Sequence, residues 1–354
     1  MTAEDKVLIV GPSWVGDMVM AQALYKSVLQ QSPGAEIHVV APPWSLPVLA
    51  RMPEVARGIE LDVGHGELGL PRRRTLGRQL RDERYARAIV LPRSLKAALV
   101  PWFARVPRRT GFRGEWRYGL LNDVRSLGPG LDQTVKRFVA LGQPRGAEPP
   151  GALPPALRPR LTSDQHNLER LREAHRLPAS MSLVALMPGA EYGPAKRWPA
   201  AYYGALAASL AQSGANVVVL GSAKERAIGD EVAARAADAR VRNLCGVTSL
   251  ADVVDLLAAA EVAVSNDSGL LHVAAAAGAP VVAIYGSSSP DFTPPLTDAA
   301  AVVSLAIECS PCFARNCPLK HLRCLNDLLP ATVMRAVESV RAPPRSAALA
   351  ENRR

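Results

Sequence analysis

The segment Val262–Gly286, VAVSNDSGLLHVAAAAGAPVVAIYG, restricts the fold more than any other part of the chain. Val262–Ser265 is a short apolar run that fits a buried strand, and Asn266-Asp267-Ser268-Gly269 supplies turn and helix-start chemistry. Leu270–Ala277 reads as a helix of small residues stopped by Gly278 and Pro280, and Val281–Tyr285 as a second buried strand. Such a strand–turn–helix–strand unit belongs to a parallel α/β sheet, and its loop leaves the carboxyl end of a strand, where these sheets bind ligands. Free N–H groups at Ser268 and Gly269 favour a phosphate there. Asp267 would be repelled by that anion, so it either faces a sugar hydroxyl or caps the helix.

The same alternation recurs on both sides of a proline-rich break. Lys6–Val10 is a strand, Gly11–Asp17 a glycine-bearing loop, and Met18–Gln30 a helix. The loop lacks the Lys-Ser/Thr pair of a nucleotide-hydrolase phosphate loop and the third glycine of a dinucleotide fingerprint. What it does hold is an acid, Asp17, at a helix start, suited to capping or to accepting a proton from a substrate hydroxyl. Glu36–Val40 and Ala88–Leu91 read as strands, with helices near Leu46–Arg51, Thr75–Arg84 and Lys96–Ala104. Gly111–Tyr118 reads as an Arg- and aromatic-rich loop, either plain surface or a binder of sugar or phosphate groups.

Six prolines within Gln143–Arg160 exclude a helix or central strand and mark a linker. The expected domains are therefore 1–142 and 161–341, followed by a frayed tail, 342–354. In the second run Leu183–Met187 is a strand, the loop Pro188–Pro199 follows it, and Ala200–Ser213 is a helix. Asn216–Leu220 is a strand, with helices at Lys224–Ala237 and Leu250–Ala259. The fold class is α/β, two Rossmann-like doubly wound parallel sheets with a cleft expected between their strand ends. Lys196 and Arg197 lie in a strand-end loop and suit an anionic leaving group.

Charge and cysteines narrow the function classes. The net charge is +10, and residues 1–160 carry all of it, with 24 Lys and Arg against 14 Asp and Glu. Arg72–Arg117 holds 14 basic residues against Asp82, Glu83 and Glu115. That field attracts a polyanion: nucleic acid, an anionic membrane or a phosphorylated substrate. No apolar run reaches the ~18–20 residues of a membrane span, and Met1–Lys6 lacks a signal-peptide core, so a cytoplasmic protein is expected. Cys309, Cys312, Cys317 and Cys324 fall within sixteen residues, with His321 among them. This is either a structural zinc site or a set of reduced thiols, and its spacing fits no standard zinc module. Cys245 reads as core.

Four stretches together resemble the ADP-heptose:lipopolysaccharide heptosyltransferases, glycosyltransferase family 9: GPSWVGDMVMAQALY (11–25), PGAEYGPAKRWP (188–199), NDSGLLHVAAA (266–276) and YGSSSPDFTPP (285–295). RMPEV (51–55), RYGLLNDVR (117–125) and GSAKE (221–225) fit the same pattern, so the resemblance runs from about Val7 to Val340. It implies a GT-B fold and an inverting transfer of heptose from ADP-heptose to the inner-core heptose of heptosyl-Kdo2-lipid A. No cofactor is implied. The first domain would take the acceptor at the inner membrane surface, visited peripherally, and the second the nucleotide sugar. Some members lack the cysteine-rich insert, so it is not expected to serve the chemistry.

The resemblance also assigns roles. Asp17 would be the general base and Lys196, aided by Arg197, would neutralise the leaving diphosphate. The N–H groups of Ser268, Gly269 and Leu270 would hold that diphosphate, and Asp267 would bind heptose hydroxyls. His272 lies one turn beyond Ser268, and Gly189, Ala190, Ser222 and Glu225 would border the nucleotide. Ser13, Trp14, Gly16 and Arg113 would meet the acceptor. A transferase of another nucleotide sugar on the same scaffold is the alternative. A nucleic-acid binder would need a recognisable module that the sequence does not show.

Overall fold

The computed structural model describes residues 6–64, 66–148 and 151–341. The start before Lys6, Pro149, Pro150 and the expected tail 342–354 lie outside the described residues. The described residues divide into two compact units: one runs from Lys6 through Thr162 and takes in Asp291–Pro294, and the other holds Ser163–Pro290 and Pro295 to Arg341.

The first unit is built on six parallel strands, β1 (Lys6–Val10), β2 (Glu36–Ala41), β3 (Arg57–Glu60), β4 (Arg87–Val90), β5 (Arg108–Phe112) and β6 (Asp123–Arg125). Their order, β3-β2-β1-β4-β5-β6, is that of a Rossmann sheet. Its helices are α1 (Val15–Gln31), α2 (Leu46–Leu49), α3 (Leu70–Gln79), α4 (Leu99–Phe103) and α5 (Thr134–Gly142). Leu8, Ile9, Val39, Val40, Ile89 and Val90 are buried because both faces of a parallel sheet are covered, which is why the strands read as unbroken apolar runs.

The second unit repeats the plan with β7 (Leu183–Met187), β8 (Asn216–Val219), β9 (Val241–Asn243), β10 (Val262–Asn266), β11 (Val281–Ile284) and β12 (Ala300–Val303), ordered β12-β11-β10-β7-β8-β9. Its helices are α6 (Gln165–Ala174), α7 (Ala200–Gln212), α8 (Arg226–Ala236), α9 (Leu250–Ala258), α10 (Gly269–Ala277), α11 (Arg323–Asn326) and α12 (Pro330–Arg341). A core of β-sheet valines closes over Trp198, Tyr203, Leu325 and Leu328. The two Rossmann-like sheets expected from the sequence are both present, and the opening strand–turn–helix–strand unit is β10–α10–β11, with Gly278 ending α10 at φ +94°.

Two local expectations need correction, and a third gains detail. The end of the proline-rich linker docks on α1. Gln22 donates to the Arg160 carbonyl and accepts from the Arg160 N–H, each at 2.8 Å, and Lys26 reaches the Arg158 carbonyl. The arginine helix starts at Leu70, not Thr75, because Pro71 sits in its first turn, where no N–H is needed. Gly111 and Phe112 belong to β5 rather than to a loop.

Candidate functional site

In a sheet of this order ligands bind beyond the carboxyl ends of the strands on either side of the reversal in strand order. In the second unit those strands are β7 and β10. The loop after β7 carries Lys196, and β10 runs into Asp267 and α10. Lys196 Nζ lies 2.5 Å from Asp267 Oδ2, and both side chains are largely buried, 18% and 5% exposed. Ser268 is the N-cap residue of α10, but its side chain makes no capping hydrogen bond; its hydroxyl lies 3.2 Å from that of Ser265. The first N–H groups of α10 remain oriented toward the same strand end.

His272 follows on the first turns of α10. It is buried, and its Nδ1 has no hydrogen-bond partner. Burial pushes its pKa below the ordinary histidine range; Asp267 pulls it up and Lys196 pushes it further down. The imidazole is thus neutral, with one ring nitrogen uncommitted beside an ion pair.

Asn266 fixes the loop that carries Lys196. Its side chain donates to the Pro188 carbonyl at 2.7 Å and accepts from the Trp198 N–H at 3.0 Å, pinning both ends. Sequence reasoning took Asn266 as a turn residue and missed this role, since both partners are loop atoms far away in the chain. Arg197 turns back on the loop, donating to the Ala190 carbonyl from Nε and Nη2 at 3.2 and 3.1 Å.

A cavity of about 360 Å³ opens beside this loop, lined by Gly189, Glu191, Arg197, Lys224, Glu225, Ala227 and Ile228. It unites Gly189, Arg197 and Glu225 among the expected nucleotide positions, but Ala190 and Ser222 do not line it. Glu225 Oε2 accepts from the N–H and hydroxyl of Ser222 at 2.7 and 2.9 Å, a capping box that starts the helical turn before α8. Gly189 leaves room for the Glu225 carboxylate, since a Cβ there would stand 1.6 Å from Glu225 Oε1 and displace it.

The cysteine-rich insert packs against the Lys196 loop. Arg315 Nε donates to the Tyr192 carbonyl at 2.7 Å, the Arg315 carbonyl accepts from the Ala195 N–H at 3.1 Å, and Tyr192 Oη donates to the Phe313 carbonyl at 2.8 Å. Lys196 and Arg315 both lie over the Tyr192 ring. The insert thus braces the loop that carries Lys196. Cys309, Cys312, Cys317 and Cys324 line one small cavity with His321 and Ala195. All five cysteines are free thiols, and among the described residues no three His, Cys, Asp or Glu side chains are placed to hold a metal ion. Cys324 is buried, its thiol pushed up by desolvation, whereas Cys317 is pushed down by the backbone N–H groups of 319–322. Cys245 is core, as expected, and burial pushes it up to about 12.

In the first unit the reversal in strand order lies between β1 and β4, and Asp17 follows β1. Helix α1 begins at Val15, so Asp17 is the third helical residue and not a loop residue. Trp14 is the N-cap residue, which leaves Asp17 half-buried in the first turn, where the helix dipole favours its anion. Gly11 allows the tight exit from β1, since a Cβ there would meet Met18 Cε at 2.6 Å. Ser13 and Trp14 are exposed on the same loop and Gly16 is buried in the helix start. Arg113 is exposed after β5, but Arg117 is not available to a ligand. It is buried, with its guanidinium donating to the carbonyls of Phe112, Pro92 and Ser94. Burial, and then the charge of Arg93, push it down to about 10.

A family model for glycosyltransferase family 9 (heptosyltransferase) matches residues 73–323. The lipopolysaccharide heptosyltransferase 2 of Salmonella typhimurium is 45% identical over 95% of this chain and 98% of its own length. The enzyme of that name from Escherichia coli K12 is 48% identical, covering 85% of this chain and 88% of its own. The solved structure of the E. coli ADP-heptose lipopolysaccharide heptosyltransferase II superposes with a TM-score of 0.83 at 42% identity, covering 95% of this chain and 98% of the other. With two Rossmann-like units, an acid after the first strand and a paired lysine at the second reversal point, the chain belongs to glycosyltransferase family 9, the heptosyltransferases.

Proposed function

We propose that this protein transfers L-glycero-D-manno-heptose from ADP-heptose to the first inner-core heptose of heptosyl-Kdo2-lipid A, with inversion at the anomeric carbon. The reading rests on a chain-long likeness to enzymes named lipopolysaccharide heptosyltransferase 2. The observation that carries it is the Lys196–Asp267 pair beside the start of α10. Asp17 takes the proton of the acceptor hydroxyl as its oxygen attacks the anomeric carbon. The bond from that carbon to the diphosphate breaks, and ADP leaves with the electron pair. Lys196 and the N–H groups of Ser268, Gly269 and Leu270 stabilise the charge that develops on the diphosphate. Asp267, once Lys196 turns to the phosphates, accepts from heptose hydroxyls. The cavity bordered by Gly189 and Glu225 takes the nucleoside. These cationic and amide groups replace a divalent ion, so transfer proceeds in EDTA.

The acceptor is a membrane lipid, and none of the helices among the described residues is long and apolar enough to cross a bilayer. Peripheral contact with the anionic inner leaflet, through exposed arginines of the first unit, completes the reading. The test is a transfer assay with heptosyl-Kdo2-lipid A and Kdo2-lipid A, each with ADP-heptose and with UDP- and GDP-sugars, read by mass spectrometry. One heptose added to the first acceptor from ADP-heptose alone is the expected result. Addition to Kdo2-lipid A instead, or use of another nucleotide sugar, overturns it.

A further inference from the structure

Three of the five tryptophans leave the carboxyl edge of the first sheet. Trp44 lies in the turn after β2, Trp14 in the loop after β1 and Trp116 in the loop after β5, with exposures of 45%, 42% and 88%. Asp17 follows β1, so in the strand order it stands between Trp44 and Trp116. Neither of these two residues has a role in the chemistry described above.

Both are held in place rather than loosely displayed. Trp44 Nε1 donates to the Ser13 carbonyl at 2.8 Å, which ties the indole to the loop that leads into Asp17. Trp116 stands on a fixed base. Arg117 beneath it is buried against three backbone carbonyls, and Glu115 accepts from the Leu95 N–H at 2.8 Å. Gly114 is pressed to the Arg93 carbonyl, where a Cβ would approach within 2.5 Å. Glu115 and Trp116 both adopt positive φ, +33° and +50°, a strained conformation for residues with side chains. A strained loop that buries an arginine while leaving an indole almost wholly in solvent presents that ring to a partner.

The location identifies the partner. Neighbouring strands lie ~4.8 Å apart, so β2 and β5, three spacings apart, carry their loops about 14 Å from each other. That span fits an oligosaccharide of a few rings. Sugar rings offer apolar C–H faces to aromatic rings, and Arg93 and Arg113, both exposed beside Trp116, suit acidic substituents. We propose that Trp44 and Trp116 form an acceptor platform, stacking on sugar rings on either side of the hydroxyl presented to Asp17. This rests on the proposed function for placing the acceptor on the first unit.

The test titrates a delipidated heptosyl-Kdo2 oligosaccharide into the wild type, Trp44→Ala, Trp116→Ala and Trp116→Phe by calorimetry, with the acceptor KM measured in parallel. Each alanine variant is expected to weaken acceptor binding about five- to tenfold. Its ADP affinity stays unchanged, Trp116→Ala also keeps its melting temperature and kcat at saturating acceptor, and Trp116→Phe keeps most of the affinity. Unchanged acceptor affinity in an alanine variant removes that residue from the platform. Reduced binding to anionic vesicles with unchanged affinity for the delipidated sugar overturns the platform in favour of a bilayer contact. A wild type that does not bind the oligosaccharide also overturns it. A wild type that binds the acceptor and transfers no heptose defeats the proposed function and leaves the platform standing.

Discussion

Lys196 Nζ and Asp267 Oδ2, 2.5 Å apart, join the loops after β7 and β10, the two strands that flank the reversal in the second sheet. The lysine proposed to meet the leaving phosphates is paired with the acid proposed to meet the sugar. Removing the lysine alone takes the cation away from a carboxylate that is 5% exposed. Lys196→Ala is therefore expected to cost about 3–5 kcal/mol of stability, and Lys196→Met with Asp267→Asn to recover most of it. Neither variant regains transfer. Urea melts alongside assays check this, and a single variant as stable as wild type would show that the pair is not coupled to the fold.

Asp17 is neither an N-cap nor a core residue, so its replacement separates chemistry from folding. Asp17→Asn is expected to lower kcat by ~10²–10⁴ while costing under about 1 kcal/mol, the worth of a first-turn carboxylate. Wild-type kcat with the natural acceptor would assign the proton transfer to another group.

Arg315 lies in the cysteine-rich insert, yet it holds the backbone of the Lys196 loop. Arg315→Ala is expected to weaken ADP binding several-fold. Gly193→Ala should weaken it more, because the new Cβ would stand 2.5 Å from the Arg315 carbonyl. Calorimetry with ADP decides, and unchanged affinity in both variants would detach the insert from the site.

The buried, neutral His272 gives a pH dependence of defined sign. Its folded pKa lies below the ordinary value of about 6.5. At higher pH the imidazole is neutral in both states and contributes no slope. Below about 6.5 the unfolded chain binds a proton that the folded chain refuses, so stability falls as the pH drops toward the lowered folded value. Denaturant melts between about pH 5 and 8 should show a shallower acid loss in His272→Gln than in wild type. Identical slopes would mean that the ring is solvated.

The membrane contact can be tested at the exposed arginines of α3. Arg73 is buried and its Nε donates to the Leu68 carbonyl at 2.7 Å, so reversing it would disturb the fold. Arg72 and Arg74 are exposed, and Arg72 pairs with Asp62 at 3.1 Å. Arg72→Glu with Arg74→Glu is expected to reduce sedimentation with anionic vesicles at 0.1 M salt, where the Debye length is ~10 Å, and to matter little at 1 M, where it is ~3 Å. Equal sedimentation of both proteins would place the contact elsewhere.

The sequence by itself determined most of the central strands, the start of α10 at Ser268-Gly269 and its end at Gly278, because apolar runs and caps act through neighbours in the chain. It also marked Asp17, Lys196 and Asp267 as residues at strand ends. It did not mark β5 or β12, nor β3, β6 and β9, whose three or four residues mix polar and apolar at a sheet edge. Tertiary structure alone decided what the marked residues touch. Lys196 and Asp267 stand 71 positions apart and meet only because β7 pairs with β10. Arg117 and Arg113 look alike in one loop, yet one is buried against carbonyls and the other faces solvent. Charge and spacing are local properties of a chain, whereas burial and partnership are set by which strands lie side by side.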